Sequence, residues 1–254
     1  MVKYVIPSFE ILTPINRDEV LRRIELAGRT CYKSEDLITP ESAAKFVKMI
    51  VGREHLSVIE HCIVTVKFII PRGVSHEMVR HRIASYSQES TRYCNYSKTK
   101  FGNEITVIDQ RPIIAEKFGI ELIYGTETVA KTEKMIRVDD SGQRLISSLM
   151  NEENYVTLKT TKMLMDVWMT AMIDAEQRYL DLTKLGLSPE IARGVLPIDL
   201  KTEIVMTANL REWQYVFSKR CSPAAHPNMR QVMIPLHEEF RKVLPEIFGE
   251  VGSP

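Results

Sequence analysis

The nine residues "CIVTVKFII" at 62–70 are the most apolar run in the chain, closed by Pro71 and Gly73. The run is mostly β-branched and about half the ~20 residues that a membrane-crossing helix requires. It therefore reads as a buried strand. "KTEIVMTAN" at 201–209 has the same strand character and runs directly into "LREWQYVFSKRC", which reads as a helix.

The helices announce themselves by their ends. "ILTPINRDEVLRRIELAGRTCY" reads as a strand end and then a helix, with Asn16 as N-cap and acids in the first turn. "TPESAAKFVKMIV" starts another, with Thr39 as cap and Pro40 at the first helical position. "SHEMVRHRIA" continues the 62–70 strand as a helix. Leu164, Trp168, Met172, Ala175, Tyr179 and Leu182 recur at three- and four-residue steps, the stripe of a long core-facing helix stopped by Gly186. Ser188 and Pro189 open the next helix, and "NMRQVMIPLHEEFRKVL" closes the chain with Pro235 inside it. The stretch 98–150 has weak periodicity and reads as strands, loops and a variable insertion. Helices and strands mix without β-α-β alternation. The expected fold is thus α+β, a mixed or antiparallel central sheet packed with long helices in one domain over 1–254.

Composition removes several function classes. The net charge is +1, from 34 basic and 33 acidic side chains, whereas a protein held to nucleic acid through phosphates usually carries a basic excess. Any anion site must therefore be local. Cys31, Cys62, Cys94 and Cys221 form no C-x-x-C pair, which argues against a zinc ribbon or disulfide scaffold and fits a reducing, intracellular setting. The start "MVKYVIPSFE" lacks the features of a signal peptide, so a cytoplasmic location is expected. The 11 glycines include neither G-x-G-x-x-G nor G-x-x-x-x-G-K-[ST], so a phosphate-bearing ligand must be held by side chains, chiefly arginine forks. "SHEMVRH" resembles the zinc-protease helix motif only superficially. His76 and His81 are five residues apart, about 140° around a helix, and no metal is expected. His55 and His61 flank "LSVIE" without a ligand pattern, and each reads on its own as a hydrogen-bonded structural histidine. Cys94 lies near Arg92, which favours a thiolate, but no histidine stands beside it to complete a nucleophile.

"RHRIASYSQEST" at 80–91 is the chemically loaded segment. Like charges at Arg80, His81 and Arg82 repel, so either an anion sits there or the stretch is a solvated turn. On a helix, Glu77, Arg80 and His81 share one face while Arg82 projects elsewhere. Ser85, Ser87, Gln88, Ser90, Thr91 and Arg92 then offer short polar donors and a fork. Arg193 falls in the first turns of the "SPEIAR" helix, Asn209 and Arg211 at a strand-to-helix junction, and Arg220 near that helix's end. Such junctions commonly build sites because the scaffold fixes them.

These residues carry a resemblance. "RHRIASYSQES" is similar to the R-H-R, seven residues, S motif of the flavin-dependent thymidylate synthases. "EHLSVIEH", "SPEIARGVLP" and "TANLREWQYVFSKRC" resemble that family's histidine, arginine–proline and N-x-R…R segments, over about residues 25–232. The resemblance implies conversion of dUMP to dTMP, with methylene-tetrahydrofolate as one-carbon donor, FAD as redox carrier and NAD(P)H as reductant. It also implies a homotetramer whose sites are shared between subunits, with small-molecule partners and neither nucleic acid nor membrane. Position by position, it implies flavin contacts at His55, Ser57, Arg80, His81, Arg82, Gln88, Asn209, Arg211 and Tyr215. It implies substrate contacts at Glu77, Arg80, Gln88, Glu89, Ser90, Thr91, Arg92, Arg193 and Arg220, and Arg220 matches the arginine that favours ionisation of the uracil ring. Departures are Gln88 where many members have glutamate, Glu77 where many have glutamine, Tyr215 for asparagine or histidine, and Cys31 for serine. "RCSPAAHPNMR" is also longer than the corresponding stretch. Two other readings stand beside this one: a flavoprotein reductase on the same fold, and an RNA-binding module stacking bases on Tyr86, Tyr93 and Tyr96.

Overall fold

The computed structural model describes residues 1–124, 135–138, 144–146 and 152–249. In chain order its strands are β1 (Lys3–Val5), β2 (Ser8–Ile11), β3 (Ile63–Pro71), β4 (Ala84–Gln88), β5 (Thr106–Ile108), β6 (Glu121–Tyr124), β7 (Met135–Val138), β8 (Arg144–Ile146) and β9 (Lys201–Asn209). Its helices are α1 (Arg17–Tyr32), α2 (Ser42–Gly52), α3 (Arg72–Met78), α4 (Arg111–Lys117), α5 (Glu152–Lys184), α6 (Pro189–Ala192), α7 (Leu210–Arg220), α8 (Pro227–Val243) and α9 (Pro245–Phe248). The fold is α+β. The chain divides into two compact units, each assembled from two stretches: Pro7–Glu89 with Lys201–Pro254, and Met1–Ile6 with Ser90–Leu200.

The first of these units is built on an antiparallel sheet of order β2-β3-β9-β4. β3 and β9 pair along their full length, from Ile63 opposite Asn209 to Pro71 opposite Lys201. Both alternate. Val64, Val66, Phe68 and Ile70 are buried on one face beside Thr202, Ile204, Met206 and Ala208, while the other face carries Thr65, Lys67 and Glu203. The strand at 62–70 is therefore buried on one face, not both, because antiparallel sheets leave one side to solvent. The buried face meets Ile24, Val47, Trp213, Phe217, Phe240 and Phe248 in one apolar core. Trp213 also donates its indole N–H to the Val64 carbonyl at 3.1 Å, so a strand carbonyl is satisfied by the core's largest side chain.

Local chemistry sets the helix ends, in places against expectation. Asn16 caps α1, its side-chain oxygen accepting from Glu19 N–H at 3.2 Å, as its position predicts. α2, in contrast, begins at Ser42, not at Pro40. The Ser42 hydroxyl accepts from Thr39 N–H at 2.9 Å and lies 2.9 Å from the buried Glu25 carboxylate, which holds Thr39 and Pro40 in a turn ahead of the helix. α3 stops at Met78, so Arg80 and His81 do not continue it and share no helical face with Glu77. The Tyr86 hydroxyl on β4 explains the stop: it lies 2.7 Å from the Met78 carbonyl and 2.9 Å from that of His81, satisfying the helix end. Gly73, expected to end the strand, lies within α3. α9 was not foreseen. Pro245 opens it and Phe248 fills the core.

The second unit holds the parallel pair β1–β5, the three strands β6-β7-β8, and helices α4 to α6. Leu158, Met165, Met172 and Tyr179 are the buried apolar positions of α5 among the described residues, with Trp168 and Leu182 partly buried beside them. Leu164 is 43% exposed, so the stripe read from the sequence is right in period and shifted by one residue at its start. Gly186 adopts φ 97° just past α5, the left-handed turn that only glycine enters without strain. Within 98–150, helix α4 interrupts a stretch read as strands and loops, and the rest of that expectation lies partly outside the described residues. Among the described residues, no helix is long and apolar enough to cross a membrane.

Candidate active site

The R-H-R turn follows α3 and leads into β4. Arg80 and Arg82 are exposed, and neither guanidinium has a hydrogen bond or ion pair among the described residues. His81 between them turns inward and is only 5% exposed. The triplet is thus two outward forks separated by a buried imidazole. Burial, reinforced by the nearby Arg220 cation, pushes His81 down to about 4, so the ring is neutral at neutral pH. Burial also raises the Tyr86 phenol to about 12, which keeps it a hydrogen-bond donor to the turn.

Arg220 is delivered to this turn by the strand-to-helix junction β9–α7. Asn209 caps α7, its side-chain oxygen accepting from Glu212 N–H at 2.8 Å, and Arg220 ends the helix, where the dipole favours a cation. Its Nε donates to His81 Nε2 at 3.0 Å, Nη1 to Glu77 Oε2 at 2.8 Å, and Nη2 to the Glu77 carbonyl at 2.8 Å. Glu77 and His81 therefore do converge, through Arg220 and not through a shared helical face. Tyr215, one turn earlier on α7, sets its ring edge-on to His81 at 5.6 Å and is 52% exposed.

His55, Ser57 and Arg211 line one cleft of about 400 Å³, together with Cys31 and Tyr32. Two left-handed residues shape it. Lys33 (φ 51°) ends α1, and Glu54 (φ 60°) follows α2, so the chain doubles back and brings the Tyr32 hydroxyl within 3.3 Å of His55 Nδ1. Arg211 pairs with Glu60 at 2.5 Å, but both side chains are about half exposed, so the pair holds weakly.

Gln88 and Glu89 are engaged within the sheet unit. Gln88 Nε2 donates to Ser75 Oγ (2.8 Å) and Thr202 Oγ1 (3.1 Å), tying β4 to α3 and β9. Glu89 Oε2 accepts from Lys201 Nζ at 3.0 Å and from Glu203 N–H at 3.3 Å. Ser90, Thr91, Arg92 and Arg193 belong to the other unit. There Arg193 Nη1 donates to Thr91 Oγ1 at 3.1 Å, the Ser90 hydroxyl accepts from Arg92 N–H at 3.3 Å, and Arg92 pairs with Glu190 at 2.7 Å. Arg193 sits at the end of the four-residue α6, where a tighter turn begins, and not in the first turns of a longer helix.

One buried residue was passed over in the sequence. Glu212 is 7% exposed and lies 3.3 Å from His81 Nδ1, yet its only sequence signal is the N-x-x-E spacing of a helix start. His226, whose role the longer "RCSPAAHPNMR" stretch left open, caps α8 by accepting from Asn228 N–H at 3.2 Å. Among the described residues, no group of three or more His, Cys, Asp or Glu is placed to hold a metal.

Fold and site together define an α+β protein whose R-H-R turn presents two exposed arginines with no partner among the described residues. The sequence model of the family described as "Thymidylate synthase complementing protein" matches residues 15–246. A flavin-dependent thymidylate synthase of Geobacter sulfurreducens is 28% identical over 236 residues, covering 90% of this chain and 81% of the relative. That of Mycolicibacterium vanbaalenii is 28% identical over 233 residues, 89% and 78% respectively, and that of Corynebacterium efficiens 26% over 230 residues, again 89% and 78%. The chain belongs to this family of flavin-dependent thymidylate synthases.

Proposed function

We propose that the protein converts dUMP to dTMP, taking the one-carbon unit from methylene-tetrahydrofolate, with FAD as redox carrier and NAD(P)H as reductant. The observation that carries this reading is the R-H-R turn, with two outward arginines that have no partner among the described residues and an inward histidine bonded to Arg220. The residues fit a flavin dinucleotide. Arg80 and Arg82, without a partner among the described residues, are forks suited to a pyrophosphate, and the cleft lined by His55, Ser57 and Arg211 suits a flat ring with polar edges. Bound flavin supplies the hydride chemistry, leaving the protein to bind, orient and polarise.

For the nucleotide, Ser90, Thr91, Arg92 and Arg193 are the phosphate ligands in this proposal, and Arg220 is the catalytic group. Among the described residues, His81 and Glu77 use three of the five guanidinium N–H bonds of Arg220, which leaves two for a ligand. A fork held in place and aimed at a pyrimidine stabilises negative charge as it develops on the ring. We also propose a cytoplasmic homotetramer with sites shared between subunits. Exposed Val156, Met163 and Val167, which fall on one face of α5, favour such assembly. The test is release of dTMP by the purified protein from dUMP, methylene-tetrahydrofolate and NAD(P)H without oxygen. A yellow protein that oxidises NAD(P)H and never forms dTMP is a reductase, and a colourless one that binds RNA overturns the flavin reading altogether.

A further inference from the structure

We infer that Glu212 and His81 form a positioning pair for Arg220, fixing the rotation of its guanidinium against the pyrimidine ring of the bound nucleotide. This rests on the role proposed above for Arg220 and adds two residues behind it. Arg220 Nε is a donor only, so His81 Nε2 at 3.0 Å must accept. A neutral imidazole that accepts at Nε2 carries its proton on Nδ1, and Nδ1 faces Glu212 Oε1 at 3.3 Å. Glu212 thus selects the tautomer. With the proton on Nε2 instead, two N–H bonds would point at each other and the Nε anchor would be lost.

The surroundings keep the pair intact. Glu212 and His81 are 7% and 5% exposed, leaving little room for water to replace either partner. Burial and the Arg220 charge hold His81 neutral, so its contact with Glu212 is a neutral donor to a carboxyl oxygen and not an ion pair. Glu77 grips both Nη atoms from the other side. Without the Nε anchor the guanidinium pivots about Glu77 alone, and its two remaining N–H bonds no longer have a fixed direction. The Glu212 side chain has no part in capping α7, where only its backbone N–H is used.

The test uses the full-length, flavin-loaded protein with 5-fluoro-dUMP as probe, whose more acidic ring reports ionisation in the ultraviolet difference spectrum. Turnover and thermal melting are measured alongside. Glu212→Ala should lower kcat by roughly ten- to a hundredfold, the range typical of groups that orient a working side chain, and reduce the ionised fraction of bound probe. Flavin content and the KM for NAD(P)H should hold. Glu212→Gln should recover most of both signals, because a carboxamide oxygen still accepts from Nδ1–H. The inference is overturned if Glu212→Ala ionises the probe like the unmodified protein. It is equally overturned if Ala and Gln variants are impaired alike with lowered melting temperatures, or if Glu212→Ala and the bulkier Glu212→Leu both fail to fold, since Glu212 is then a packing residue. Arg220→Ala separates the two levels. Full ionisation in that variant defeats the role of Arg220 itself, whereas ionisation lost there but kept in Glu212→Ala defeats only the positioning pair.

Discussion

Solvation sorts the three adjacent basic residues. Arg80 and Arg82 keep their charge in water, and His81, the one member able to be neutral, is the one that is buried. Adjacent like charges are tolerated because only two of the three are charged. The sequence made the triplet visible but not this division, since burial of His81 depends on Glu212 and Arg220 more than 130 residues away. Three expectations belong at this scale. Arg80→Ala and Arg82→Ala should each weaken FAD retention by about 1.5–3 kcal/mol, the worth of a charge-assisted hydrogen bond. Flavin absorbance after desalting measures it, and full occupancy in both variants would remove the triplet from the flavin site. Arg220→Lys keeps charge but loses the planar fork, so turnover should fall by about 2.7–4 kcal/mol in barrier, a hundred- to a thousandfold, at unchanged FAD content. Cys94→Ser should retain most activity, because Arg92 is directed to Glu190 and a thiolate has no part in the scheme. An active Arg220→Lys beside a dead Cys94→Ser would restore the case for a covalent mechanism.

Elements with their own end signals were readable, and elements ended by something distant were not. β9 and α7 follow from β-branched residues running into an N-cap, and α1 from Asn16 with its acidic first turn. The end of α3 was misread because its stop is a tyrosine on the next strand, invisible to helical periodicity, while 75–78 is helical as expected. The solvent face of the β3–β9 pair carries a charge ladder that the apolar appearance of 62–70 concealed. Lys201 bridges Glu89 and Glu203 at 3.0 and 2.8 Å, and Lys67 reaches Glu203 at 2.5 Å. Hydrogen bonds from Lys201 and then Lys67 hold the Glu203 carboxyl well below its ordinary 4.5, at about 2. A depressed carboxylate stabilises the fold above its unfolded pKa, and that contribution fades as pH falls from about 4.5 towards 2. Denaturant unfolding should therefore find Glu203→Gln less stable than the unmodified protein at pH 7, with a smaller gap at pH 3 that closes only near pH 2. An equal gap at both pH values would mean that the ladder contributes nothing through charge.

At the scale of the whole molecule, the α+β class was legible because its long strands and helices carry local patterns. The two-unit arrangement was not, since each unit joins stretches separated by more than 80 residues and no composition shift marks the joins. The candidate residues follow that division: Arg80, Glu77, Asn209 and Arg220 belong to the sheet unit, and Thr91, Arg92 and Arg193 to the other. Arg80 is exposed while the neighbouring His81 turns in to Arg220, so adjacent residues of one turn are committed to different surroundings. In the proposed homotetramer, the flavin held by Arg80 of one subunit meets the nucleotide held by Arg220 of another. Two inactive variants, one altered at Arg80 and one at Arg220, should then complement when unfolded together and refolded, or co-expressed. A shared site is intact when its Arg80 comes from one variant and its Arg220 from the other. Random equal mixing restores that combination in about a quarter of sites, and dTMP formation should recover in proportion. Sites contained within one chain give no recovery at any mixing ratio. Mixed oligomers that assemble, bind flavin and remain inactive would therefore assign Arg80 and Arg220 to the same subunit's site.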